Sequence, residues 1–443
     1  MPILLPVIWL NMSHSTSGRS KSIDSKIKEV AGACSTGSGD SYKEMKWYFR
    51  FTVLCVVMLS GCSSSTGIGR TATATPTTLL PTATPTPISI NLTPLPAQDA
   101  WGNVNITQFS LDMGDRYFEA IPNYNGITDD DQVCGVTVPM NSSYGTDNSQ
   151  FMASVGLLNL HTGKITLLTT LPAGDQSWDC TVTGSWVIWI QSFGNTLESL
   201  AVHWVIKAIN RDTGEIRVID QAKGADGQGQ FVSIRPNPYA SNGRVVWTTY
   251  SSDIPNGTQS EMYTFNTSTK TVLADNTSYP ILSWPWVTWG DGKQKAIVCE
   301  NLETGQQVLL HMQYIPTTTA FHGTTFVYTN SDYSQVLIYP DITDPSLPSY
   351  VIEDKSIDGD SFSEFPTINN RLVSWVSDTT SLVFDRKLMR QVIVDSSKIP
   401  FAGVVSSHFL ISEAPLTQAD HDASVKGLPY HHVIRIIDTD TLP

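Results

Sequence analysis

Val187-Ile188-Trp189, Val245-Val246-Trp247, Val287-Thr288-Trp289 and Val373-Ser374-Trp375 are four copies of one short pattern, V-x-W, in a chain of 443 residues. Phe326-Val327-Tyr328 is a variant, and Leu410-Ile411-Ser412 a weaker one. β-Branched and aromatic residues in alternation suit a half-buried strand. The copies recur at intervals of about 40 to 60 residues, the size of a four-stranded sheet unit with loop insertions. Several are followed by a strand-turn-strand whose turn holds Thr-Gly: Thr162-Gly163, Thr213-Gly214 and Thr304-Gly305. Asn266-Thr267-Ser268-Thr269-Lys270 takes the same place in another unit. Glycine supplies the positive φ that such a hairpin needs.

From Trp101 to Pro443 short runs of Val, Ile, Trp, Tyr and Thr alternate with Gly, Asn, Asp and Pro turns, and no amphipathic helix stands out. The fold class is therefore all-β. A lone twisted four-stranded sheet has two apolar faces and cannot cover both. Packing such sheets radially covers each face, and closing the ring removes the ends. The expected fold is a β-propeller of about seven four-stranded blades, or six if the first is irregular. Units are expected to end near Thr170 and then to span 175–222, 230–276, 280–312, 317–355, 364–397 and 400–443. The last unit is one strand short. Val104 to Leu111, with apolar Ile106 and Phe109, is expected to supply that strand and zip the ring shut. The V-x-W aromatics are read as packing residues between blades.

Upstream of the repeats the chain changes character. Lys46 and Arg50 precede an apolar run, Phe51 to Leu59, which is too short to span a bilayer as a helix. Leu59-Ser60-Gly61-Cys62 closes it. This resembles a bacterial lipoprotein signal, with its lipobox. The resemblance implies cleavage before Cys62, a lipid on the Cys62 sulfur, and residence on the outer face of the bacterial cell membrane. Residues 45–61 are then the signal peptide, and 1–44 an upstream extension from a misplaced start. Residues 62–97 are rich in Ser, Thr, Pro and Ala, as in Thr71-Ala72-Thr73-Ala74-Thr75-Pro76. Such a composition buries no core and gives a semi-rigid spacer. The propeller domain is read as 98–443.

The repeats resemble the broad group of TolB-like and WD40-like propellers. The Ser-Pro-Asp-Gly turn of the first and the Gly-His and Trp-Asp pairs of the second are absent, so the likeness lies in the repeat pattern. Propellers host many activities, and the pattern alone implies none.

Lys and Arg number 27 against 41 Asp and Glu, a formal net charge of −14. The acidic excess grows when residues 1–61 are set aside. Such a charge repels phosphate backbones, so nucleic acid is excluded as a partner. Beyond Cys62 the cysteines are Cys134, Cys180 and Cys299. An odd number allows at most one internal pair. Cys134 and Cys180 are nearest in sequence and could bridge neighbouring units; buried free thiols are the other reading.

Candidate chemistry is sparse. Asp129, Asp130 and Asp131 lie in a loop of the first unit. Asp358, Asp360 and Glu364 alternate around Gly359 in a manner suited to calcium, but without the full spacing of an EF-hand loop. His421 stands between Asp420 and Asp422, and His431 and His432 follow; adjacent strand residues face opposite ways and do not readily grip one metal. Each group also fits a solvated loop. No nucleophile motif and no phosphate-binding loop accompanies them, and no cofactor other than calcium is suggested. Three segments read as insertions: Gln191 to Glu198, Ser251 to Ser260 and Ala414 to Tyr430. The expected function is binding or scaffolding, with an envelope protein or a glycan as partner. The alternative is a carbohydrate-active enzyme, a lyase or glycoside hydrolase. Catalysis needs carboxylates converging at one mouth of the ring, whereas scattered Asp129, Asp358 and His421 favour binding.

Overall fold

In the computed structural model, residues 86–443 are described except 91–92, 121–125, 141–148, 193–203, 223–235, 251–256, 313, 317, 332, 345, 354–363, 377–381, 395–402 and 426–427. Cys62, the apolar run and the first part of the spacer lie outside the described residues.

The strands form seven sheets, each built on four antiparallel strands, two of them with a fifth, parallel strand at the edge, and together they make a β-propeller. Blade 1 comprises Arg116–Ala120, Gln132–Pro139, Ser154–Asn159 and Ile165–Thr170. Blade 2 is Gln176–Thr183, Trp186–Ser192, Trp204–Asn210 and Ile216–Gln221; blade 3 is Tyr239–Ser241, Arg244–Tyr250, Thr258–Thr264 and Thr269–Asp275. Blade 4 is Thr277–Ser283, Trp286–Asp291, Ala296–Asn301 and Gln307–His311; blade 5 is Thr319–His322, Thr325–Thr329, Gln335–Tyr339 and Tyr350–Glu353. Blade 6 is Glu364–Ile368, Leu372–Val376, Leu382–Asp385 and Arg390–Ile393. Blade 7 takes Gly403–Ser406, Phe409–Pro415 and His432–Asp438 from the end of the chain and Thr107–Ser110 from near its start. Thr107–Ser110 pairs antiparallel with Ile436 to Val433, which closes the ring as the sequence led us to expect.

The V-x-W tryptophans all lie on second strands and are all buried. Each packs toward the preceding blade. Trp189 joins Val136, Val155 and Leu157 of blade 1, and Trp247 joins Ile188 and Ile206 of blade 2. Trp289 lies in a core shared with Tyr239 and Val246 of blade 3, and Trp375 packs with Val327 and Val336 of blade 5. Truncating a tryptophan in such a site costs about 3–5 kcal/mol. The blade 7–blade 1 core, Ile411, Ile434 and Ile436 against Phe118, Val133 and Leu158, completes the circuit.

Two small repeats fix the turns. In blades 1, 2 and 4 an asparagine ends the third strand, and its side chain accepts from two backbone N–H groups of the turn. Asn159 accepts from His161 and Thr162, Asn210 from Asp212 and Thr213, and Asn301 from Glu303 and Thr304. Gly163, Gly214 and Gly305 then take the left-handed φ of 68°, 73° and 72°. A second repeat ties blade to blade. Thr183 Oγ1 accepts from Gly243 N–H, Ser241 Oγ from Trp284 N–H, and Ser283 Oγ from Gly323 N–H. Each bond links the end of one first strand to the tight turn of the next blade.

Two short strands lie within the stretch 62–97 that composition reads as spacer. Ile88–Ile90 adds to blade 5, parallel to Tyr350–Glu353, and Leu95–Pro96 adds to blade 6, parallel to Arg390–Ile393. Helix Ala97–Trp101 follows and buries Trp101. The spacer composition hides these strands because backbone pairing at a free blade edge asks little of the side chains. Among the described residues no helix is long and apolar enough to cross a membrane.

Candidate functional site

A meander sends its first–second and third–fourth turns to one face of the ring, and its second–third and fourth–first connections to the other. The first face is built mostly of tight turns, such as 184–185, 242–243, 284–285, 323–324 and 407–408. The longer connections of that face are 121–131 and 340–349; on the second face the long connection that is described almost throughout is 416–431, while 193–203, 223–235, 354–363 and 395–402 lie outside the described residues. Of the three sequence insertions, Ala414 to Tyr430 falls mainly on the second–third connection of blade 7 and so on this second face; in the other two, 193–198 and 251–256 lie outside the described residues, and Gln191, Ser192 and Thr258 to Ser260 are strand residues.

The 416–431 connection carries helix Gln418–Val425 and sits at the junction of blades 7 and 1. There, on the second strand of blade 7, Glu413 takes a place held by Ile190, Thr248, Gly290 and Thr329 in other blades. It points toward blade 1, where its Oε2 accepts from Ala120 N–H at 3.1 Å. Its Oε1 lies 3.6 Å from Nδ1 of His432, the first residue of the third strand. His432 is 5% exposed. Its ring is stacked between two phenols. The Tyr117 centroid is 3.5 Å away with planes 10° apart, and the Tyr430 centroid is 4.0 Å away with planes 30° apart.

The surroundings set the protonation states. Burial pulls the His432 pKa down to about 4. Burial, reinforced by the charge of Glu119, pushes the Glu413 carboxyl well above the usual range against the pull of the Ala120 N–H. Burial and the charges of Glu119 and Glu413 likewise raise Tyr117 far above an ordinary phenol. The neutral forms of all three are thus favoured. A neutral imidazole clamped beside a carboxylic acid offers hydrogen bonds without net charge, walled by aromatic faces.

A second layer holds this group. Asp112 Oδ1 accepts from His432 N–H at 3.0 Å, and Asp112 Oδ2 meets His431 Nδ1 at 2.6 Å. That contact raises the His431 pKa. Asp420 Oδ1 accepts from His431 N–H at 3.0 Å, and its Oδ2 accepts from Thr417 N–H at 3.0 Å and Thr417 Oγ1 at 2.6 Å. Burial lifts the Asp420 pKa, but these bonds outweigh it and leave it lowered.

The other sequence candidates are placed elsewhere. Asp129, Asp130 and Asp131 lie on the tight-turn face. Asp130 Oδ1 pairs with Arg211 of blade 2 at 2.6 Å. Despite some burial, bonds from Thr128, Arg211 and Gln132 bring its pKa to about 2. Asp131 pairs with His161 at 2.8 Å and approaches His408 of blade 7 at 3.6 Å. These two carboxylates therefore act as ties from blade 1 to its neighbours on both sides. His421 lies in helix Gln418–Val425, in a connection of the opposite face. Asp358 and Asp360 lie outside the described residues, and Glu364 opens the first strand of blade 6. Among the described residues no three His, Cys, Asp or Glu are grouped to hold a metal ion.

Cys134 and Cys180 form a disulfide with Cα atoms 5.9 Å apart, joining the second strand of blade 1 to the first strand of blade 2. Cys299 is a buried free thiol whose pKa burial pushes far up.

No protein-family model matches the chain, and no curated protein does. Solved structures of similar shape include an oligogalacturonate lyase from Vibrio parahaemolyticus, 12% identical over 76% of this chain and 97% of that one, with a TM-score of 0.45. BamB from Moraxella catarrhalis is 12% identical over 75% and 98%, TM-score 0.40. TolB from Acinetobacter baumannii is 10% identical over 66% and 61%, TM-score 0.36. Likeness of this degree assigns no activity, and the propeller rests on the seven sheets themselves.

Proposed function

We propose that the protein is a lipid-anchored, extracytoplasmic binding propeller that engages an envelope protein or a glycan with the face that carries the 416–431 connection. The observation that carries this reading is the division of labour between the two faces. Two-residue first–second turns bonded from blade to blade are the rule on one; the 416–431 connection with its helix and the Glu413–His432–Tyr117–Tyr430 group lie on the other. Asp129 and His421 belong to opposite faces, so they do not form the converged pair that catalysis at one mouth requires. Loops mounted on a rigid ring are the usual place for recognition. The buried Tyr117–His432 stack braces the blade 7–blade 1 junction, while Leu416 and Leu428 of the connection are exposed and offer apolar surface to a partner. Supporting the address are the lipobox-like Leu59-Ser60-Gly61-Cys62, the Ser/Thr/Pro spacer and a disulfide, a bond favoured outside the reducing cytoplasm.

The test uses the full chain. Binding to purified wall glycan and to detergent-solubilised envelope proteins is compared for wild type, for a variant with 416–431 replaced by a short Gly-containing turn, and for Asn242→Ala on the opposite face. Loss in the first variant alone supports the reading; equal binding by all three overturns it. Separately, Cys62→Ser is expected to move the protein from the membrane to the soluble fraction, and unchanged partitioning removes the anchor.

A further inference from the structure

On the tight-turn face, between blades 5 and 6, lies a cavity of about 460 Å³. Its walls combine Ile338, Phe384 and Met389 with Tyr350, Arg386 and Lys387. A cationic cavity is an exception on a chain of net charge −14.

Arg386 is the informative residue. Arg116, Arg211, Arg217 and Arg371 each hold a carboxylate: Asp115, Asp130, Glu215 and Asp385. Arg386 holds only neutral acceptors. Its Nη1 donates to the carbonyls of Asn369 at 3.4 Å and Asn370 at 3.3 Å, and its Nη2 to Thr325 Oγ1 at 2.9 Å. Among the described residues no carboxylate bonds to it. These contacts fix the guanidinium in place without neutralising it. Arg371, which also borders the cavity, is compensated by Asp385 and contributes shape more than charge. Lys387 is exposed at the rim. Burial lowers the Arg386 pKa, as expected of a desolvated cation without a counter-ion. Its charge also adds to the burial that depresses nearby His322.

We propose that this cavity binds a small organic anion, a carboxylate carried on an aromatic or aliphatic body, with the carboxylate held by Arg386 and Lys387 and the body against Met389, Pro340 and the ring of Tyr350. A planar guanidinium fork matches a carboxylate in two parallel hydrogen bonds. Tyr350 adds a hydroxyl to the same wall. The volume lies within the range of small-molecule sites, about 300–1,000 Å³. The site is on the face opposite the Glu413–His432 group and stands independently of it.

The experiment is a calorimetric titration of the full chain with phenylacetate and with phenylacetamide, its neutral analogue. Phenylacetate is expected to bind one to one and about tenfold more tightly than the amide. Arg386→Gln is expected to weaken phenylacetate about tenfold. Lys387→Gln, an exposed change that spares the fold, is expected to weaken it about threefold and decides the matter if Arg386→Gln fails to fold. Replacing 416–431 should leave the affinity unchanged. No binding by the wild type, equal binding of acid and amide, or an affinity indifferent to Lys387→Gln and Arg386→Gln overturns the proposal.

Discussion

Trp101 Nε1 donates to Asp385 Oδ2 at 2.8 Å, across 284 residues of sequence. The same oxygen receives Arg371 Nε at 3.1 Å and Nη2 at 2.9 Å, and Arg371 also donates to the Leu442 and Pro443 carbonyls. One fully buried carboxylate thus fastens the entering segment, the last residues and blade 6 together. Asp385→Asn leaves Arg371 without its counter-charge and is expected to cost about 3–5 kcal/mol. Trp101→Phe removes one bond to a charged group, about 1.5–3 kcal/mol. In urea denaturation the double variant should cost less than the sum, because both changes act on one network.

The Cys134–Cys180 bridge closes a loop with a sequence separation of 46. Replacing both cysteines by alanine is expected to lower stability by about 2–4 kcal/mol. Thiol titration of the region from residue 86 onward should find no reactive group while folded. It should find one, Cys299, in denaturant.

Stability should depend on pH through two groups of opposite sign. His432 has a depressed pKa, about 4 against 6.5 unfolded, so the unfolded chain binds the extra proton between those values. Its contribution is full above pH 6.5 and is lost as pH falls toward 4. Glu413 has a raised pKa. Its contribution is full below the ordinary carboxyl value and is lost as pH rises through the folded one. Glu413→Gln removes the second effect. Denaturation midpoints of that variant should then rise between pH 4 and 6.5, by up to about 3 kcal/mol, more steeply than those of the wild type. A parallel pH profile for the two proteins contradicts the assignment.

Gly135 stands in blade 1 where blades 2 to 6 carry the V-x-W tryptophan or, in blade 5, Tyr328. A Cβ there would overlap the Glu119 carbonyl and lie 2.7 Å from the Phe118 ring. Gly135→Ala is expected to destabilise by about 3 kcal/mol through overpacking, measured by thermal unfolding.

The blades that the sequence revealed are those whose large residue recurs at a fixed place. Trp189, Trp247, Trp289 and Trp375 mark second strands because a seam between two sheets needs bulk. Blades 1 and 7 are faint because Gly135 and Ser412 take that place, with Phe118 filling the first seam from the neighbouring strand. The closing strand was legible from a final unit lacking a fourth strand and from apolar Phe109 within Val104 to Leu111; the strand itself is the shorter Thr107–Ser110, and Ile106 lies just outside it, exposed. Ile88–Ile90 and Leu95–Pro96 were hidden in spacer-like composition. Of the candidate site, His431, His432 and Asp420 were visible but read as a solvated loop. Glu413 was missed, although a carboxylate one place after the V-x-W position was a signal: that place faces the next blade. The stacking of Tyr117 and Tyr430 on His432 joins parts of the chain more than 300 residues apart, and periodicity carries no such information.

Blade 7 has a consequence in time. Thr107–Ser110 is made early, yet its partner His432–Asp438 comes from the far end of the chain. A ribosome making the chain in order releases six blades before the wheel can shut. Until then the early strand waits with its backbone unpaired, and the nascent intermediate offers open edges to other chains. A product stopped short of residue 432 stays in that state, so the geometry itself sorts complete molecules from unfinished ones.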